Sequence, residues 1–223
     1  MYMSFFCKEL RLIKRGYLYA LGIWFLFPLY SIVIKLNINF VLFFEGFLGA
    51  TLALISADFI YGDCDEKIII SCTRNFISYL FAKFAIILSS LFIFLNIYSF
   101  VIQLFRGISS PEFLLGQLII MDMNCLVIFG FISTVSILTS YFTKTSYVAY
   151  GVGMIVFLIE AAFLKLLTEN HLPKWAWIFC LYGTGSIYPS IEWILNKVLF
   201  LALTVIFWVV MSISYNYGKK DLV

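Results

Sequence analysis

Apolar runs of about 20 residues, each the length that one helical crossing of a 30 Å hydrocarbon layer requires, recur along this chain. Short polar stretches separate them. The runs cover roughly Tyr17–Ile34, Phe40–Ala57, Ile77–Gln103, Phe113–Tyr141, Tyr147–Leu167 and Ile191–Tyr215. Lipid offers no partner to an unpaired backbone N–H or C=O, so each run is expected to be a helix whose hydrogen bonds close internally. The pattern predicts an all-α integral membrane protein with six transmembrane helices, built as one membrane domain over residues 1–223. The first apolar run follows charged residues and lacks a small-residue cleavage site, so no cleavable signal peptide is expected.

The segments between the runs carry more information. Ser4–Arg15 reads as an amphipathic helix, with Phe6, Leu10 and Ile13 on one side and Lys8, Arg11 and Arg15 on the other. Such a helix lies flat among headgroups, its basic face toward anionic lipid. The second run carries Gly46, Ala50, Ala53 and Ala57 on one stripe, which lets two helix backbones approach closely within the chain or across a dimer. Residues 58–75 form the most polar stretch, with Asp58, Asp63, Asp65, Glu66, Lys67 and Arg74 around Ile68, Ile69 and Ile70. This suits one or two short helices at the membrane surface; the alternative is a solvated loop. A turn at 142–146 joins the fourth and fifth runs. Residues 168–190, with Pro173, Trp175, Trp177, Gly183, Gly185 and Pro189, predict a short broken or re-entrant segment between the fifth and sixth.

Composition reinforces the membrane reading. Hydrophobic residues make up 63% of the chain and charged ones 12%, which leaves no folded soluble domain. With six spans both termini share one side, and ten of the Lys and Arg residues fall there against five opposite. The positive-inside rule then places both termini and residues 58–75 in the cytoplasm. The Ile-, Phe-, Asn- and Lys-rich usage points to a bacterial cell membrane. A net charge of +3 gives no argument for nucleic acid.

Acids in or near the runs are Glu45, Asp122 and Glu160. An ionised acid at the bilayer centre costs on the order of 3 kcal/mol on insertion scales, so such groups face protein or water. They are candidates for an acid-lined outer vestibule favouring a cationic or amphipathic cargo; the alternative is that neighbouring helices satisfy each one. Glu160 and Lys165 are five apart, a poor spacing for a same-face pair. Catalytic chemistry is missing. The single histidine, His171, rules out a His-based metal centre or an H-E-x-x-H site. Cys7, Cys64, Cys72, Cys125 and Cys180 form no C-x-x-C pair. No nucleotide-binding glycine motif occurs, so no catalytic, cofactor or metal site is expected in this chain.

The arrangement resembles the permease subunits of type 2 ABC transporters, the export class. The likeness rests on the amphipathic N-terminal helix, six spans, the polar loop after the second and the broken segment before the sixth. At residue level Asp63-Cys-Asp-Glu-Lys67 matches the acidic turn, Ile68–Ile70 the apolar run, Ser71-Cys-Thr-Arg74 the Ser-Thr-Pro-Arg region and Ala82-Lys83 the Ala-Lys pair of that family. The family's Gly-Thr and Pro are absent here. The resemblance implies that Asp63, Asp65, Glu66, Lys67 and Arg74 couple to a separate ATP-binding cassette subunit, which holds ATP and Mg. It also implies that Lys8, Arg11 and Arg15 brace them and that a second permease copy or a related chain completes the pathway. The cargo expected is a peptide or another amphipathic compound. Alternatives are a haem-exporter-like permease of cytochrome c maturation, the membrane subunit of an energy-coupling-factor importer, a membrane lipid transferase and a non-transporting immunity protein.

Overall fold

The computed structural model describes residues 111–181 and 190–220, together with individual helical positions between Ile77 and Ile97. The first two apolar runs, the Ser4–Arg15 segment and the 58–75 loop lie outside the described residues. What is described is all-helical. Three long helices, α1 (Pro111–Thr143), α2 (Ser146–Thr168) and α3 (Ile191–Lys220), are joined by a six-residue 3-10 helix at Lys174–Phe179 that lies between α2 and α3 in the chain. Each long helix contains a stretch long and apolar enough to cross a membrane, at Asp122–Thr143, Ser146–Thr168 and Ile191–Tyr215. These fall on the fourth, fifth and sixth apolar runs of the sequence, the first of them covering the C-terminal part of the fourth run.

Helix ends follow local chemistry. Pro111 opens α1, a position where its missing N–H costs nothing. The helix stops at Lys144, which takes a left-handed φ of 56° and donates its N–H to the Ser140 carbonyl at 3.0 Å. Thr145, in extended geometry, then starts α2, so the turn between the two helices is tight. α2 ends in a Schellman arrangement. Asn170 is left-handed at φ 58°, its N–H reaches the Leu167 carbonyl at 3.2 Å, and the His171 N–H reaches Leu166 at 3.0 Å. Pro173 follows and prevents further helix. Ser190 caps α3: its hydroxyl accepts the Trp193 backbone N–H at 3.2 Å.

α1 is the central element and packs on both α2 and α3. Its buried side chains Val127, Ile128, Phe129, Ile132 and Ile137 form the core with Leu80 and Phe84 from the 77–97 positions and with Phe200 and Met211 from α3. Aromatic rings tie the three elements together. Phe84 stacks on Phe129 at 5.5 Å and meets the Trp208 ring edge-on at 5.6 Å. Gly130 sits at this junction, facing Thr204 and the Phe84 ring.

Candidate functional site

The densest polar arrangement among the described residues surrounds Cys180 and Leu181, where the chain leaves the 3-10 helix. Asn196 and Lys197 of α3 lie about 8 Å along the helix from Ile191 at 1.5 Å per residue. Both are buried, at 1% and 2% exposure. The Asn196 amide nitrogen donates toward the carbonyls of Trp177, Ile178 and Cys180 at 3.2, 2.9 and 2.8 Å. Those carbonyls stand at the C-terminal end of the 3-10 helix, where helical geometry leaves acceptors short of internal donors; the Trp177 carbonyl also accepts the Cys180 N–H at 3.3 Å. A side-chain amide with two hydrogens gathers them. The near-isosteric Asp and Leu cannot replace it: ionised Asp offers no donor, and Leu has no polar group.

Leu181 is gripped at both ends of its backbone. Its N–H donates to Glu160 Oε2 of α2 at 2.8 Å, and its carbonyl accepts from Lys197 Nζ of α3 at 3.4 Å. Lys197 also lies over the Trp193 ring, 5.8 Å from its centroid, in cation–π range. Trp193 in turn donates its indole N–H to Asn124 Oδ1 of α1 at 3.1 Å. Glu160, Leu181, Lys197, Trp193 and Asn124 therefore connect all three long helices through one chain of polar contacts. A second polar contact lies between Asn96 and Asp122, whose two carboxylate oxygens each accept from the Asn96 amide at 3.1 Å.

The structure accounts for the sequence candidates unevenly. Glu160 bonds a backbone amide, and Asp122 bonds Asn96; neither touches the other. Lys165, five residues from Glu160, pairs instead with Glu169 one turn on, at 3.9 Å, and His171 approaches the same carboxylate at 3.4 Å. All three are solvent-exposed, where ion pairs contribute little. Glu45, the stripe Gly46, Ala50, Ala53 and Ala57, the basic residues Lys8, Arg11 and Arg15, and the loop residues Asp63, Asp65, Glu66, Lys67 and Arg74 lie outside the described residues.

Asn96, Asn124, Trp193, Asn196 and Lys197 are polar participants that sequence reasoning did not single out. The available signal was the pair Asn196-Lys197 inside an otherwise apolar run, since an ionisable group there needs a partner. The described residues contain no group of His, Cys, Asp and Glu side chains able to hold a metal ion. Comparison of the chain with protein-family models, with curated proteins and with solved structures finds no match.

Proposed function

We propose that this chain is the membrane-spanning subunit of an ATP-driven exporter of the type 2 ABC class, moving a peptide or other amphipathic compound with energy from a separate ATPase. One observation carries the reading: an acid-rich segment, Asp63 to Glu66 with Lys67 and Arg74, interrupts a chain otherwise composed of apolar runs and devoid of nucleotide-binding motifs. A conduit without its own motor needs a rigid charged element through which force enters its helices, and residues 58–75 are the sizeable charged segment between runs. The broken segment before α3 supports the same reading, because it holds a short helix bound to α3 by polar contacts rather than a slack tether.

In this reading two permease chains enclose the pathway and two ATPase subunits close on ATP, moving the 58–75 segments and tilting the helix bundles. The test is purification of the tagged chain from its native membrane together with what travels with it, followed by ATP-turnover and transport assays. A co-purifying ATPase, and an Asp65→Lys/Glu66→Lys variant that inserts normally but no longer links ATP turnover to transport, are the expected results. Unchanged transport in that variant sinks the coupling assignment. If no ATPase accompanies the chain, the exporter reading fails and a non-transporting immunity protein becomes the better account.

A further inference from the structure

We infer that Cys180 and Leu181 form a strap carried by α3, with Glu160 of α2 as its release catch. Among the described residues α2 and α3 scarcely meet directly, and α2 touches the 3-10 helix only sparsely, whereas the 3-10 helix packs well against α3. The grip on the strap is unequal in the same sense. α3 holds it through Asn196, which reaches the Trp177, Ile178 and Cys180 carbonyls, and through Lys197 on the Leu181 carbonyl. α2 reaches it through the bond from the Leu181 N–H to Glu160, at 2.8 Å, and packs against the 3-10 helix far less than α3 does. When α2 moves against α3, the connection with fewer bonds parts first. The strap then travels with α3, and the Glu160 contact is what closes and opens.

The strap has a polarity that a plain ion pair lacks. The Leu181 peptide presents its N–H to the acid and its carbonyl to the base. Exchanging the two charges leaves Coulomb attraction between the positions intact but turns a donor toward the N–H and an acceptor toward the carbonyl, so neither hydrogen bond forms. Glu160 therefore acts as a positioning residue, through Leu181, and this role holds whether or not the chain is driven by an ATPase.

The test uses the full chain in lipid nanodiscs, with spin labels on genetically encoded keto amino acids so that native cysteines are left in place. Labels at Leu158 of α2 and Val205 of α3, both exposed, report the separation of the two helices; a second pair, Trp175 and Val205, reports the strap on α3. Loss of the catch bond in Glu160→Leu is expected to raise the population with α2 displaced about tenfold, with the Trp175–Val205 distances unchanged. Glu160→Gln keeps an oxygen for the Leu181 N–H and is expected to match the unsubstituted protein. The Glu160→Lys/Lys197→Glu exchange is expected to behave as an open catch. The inference is overturned if Glu160→Leu leaves the α2–α3 distances unchanged, if it widens both distance pairs alike, if Glu160→Gln opens as far as Glu160→Leu, or if the charge exchange restores the closed distances.

Discussion

Replacing Asn196 with Ala removes the one side chain that gathers the carbonyls at the end of the 3-10 helix. Its nitrogen carries two hydrogens for acceptors at 2.8, 2.9 and 3.2 Å, so about two hydrogen bonds' worth of energy disappears. A net intramolecular hydrogen bond contributes roughly 1 kcal/mol, and each buried carbonyl left without a donor costs about 1–3 kcal/mol. One effect runs the other way: Asn196 Oδ1 is buried without a partner, and its removal recovers part of that cost. The balance is a loss of roughly 3 kcal/mol, equivalent to about 6–12 °C in unfolding temperature for a chain of this size. The assay is thermal unfolding in detergent followed by tryptophan fluorescence, since Trp177 and Trp193 flank the site. Asn196→Asp is the decisive companion. It preserves shape but aims acceptors, and a charge, at three carbonyls, so it is expected to be worse than Ala. The reasoning is refuted if Asn196→Asp unfolds at the temperature of the unsubstituted protein, or if Asn196→Ala shifts it by less than about 1 °C.

Three further outcomes follow from the helix contacts. The Trp208 indole donates to Thr134 Oγ1 at 3.0 Å across α3 and α1, so a double-mutant cycle of Thr134→Val with Trp208→Phe is expected to yield a coupling of about 1 kcal/mol in unfolding free energy. Gly130→Ala is expected to stabilise the protein by about 0.5–1 kcal/mol through helix propensity alone. The reason is that its new Cβ meets Thr204 Cγ2 at 3.9 Å and Phe84 Cζ at 4.0 Å, ordinary contact distances; a lowered unfolding temperature would contradict it. Lys144→Gly relieves a left-handed backbone at φ 56° on an exposed turn and is expected to raise stability by up to about 1 kcal/mol in the same assay.

Helix positions were legible in the sequence where one physical rule decides them. The apolar runs 113–141, 147–167 and 191–215 reappear as α1, α2 and α3 because length and apolarity alone determine what crosses lipid. The described part of the Pro- and aromatic-rich stretch between the last two holds a short 3-10 helix, and the Schellman stop at Asn170 followed by Pro173 accounts for the break. The polar site was far less visible. Glu160 and Asp122 stood out as acids in apolar surroundings, but their partners are 21 and 26 residues away. Asn196 was harder still, since it bonds backbone carbonyls and no side-chain pattern marks a carbonyl as an acceptor. Lys165 shows the complementary case. Its partner Glu169 lies one turn away, within reach of spacing arguments.

Nearly equal hydropathy conceals very unequal surroundings. The membrane-length stretch of α1 is 61% buried, against 12% for α2 and 17% for α3. Hydrophobicity alone cannot tell them apart, because lipid and protein interior both accept apolar side chains. Hydroxyl groups can. Residues 122–143 carry Ser133, Thr134, Ser136, Thr139, Ser140 and Thr143, whereas α2 has hydroxylated Ser and Thr only at its first and last positions. Ser133, Ser136 and Ser140 recur at three- and four-residue spacing and are fully buried, with no hydrogen-bond partner for their side-chain oxygens. Each lost partner works against stability, so the benefit must come from size. Small side chains let neighbouring elements close on α1, and the dispersion attraction between surfaces packed that tightly has no counterpart against lipid tails. α2 instead presents Ile155, Leu158 and Ile159 outward, large side chains that a hydrocarbon surface accepts at no cost. Placement of small hydroxylated residues, rather than the amount of apolar surface, distinguishes α1 from α2.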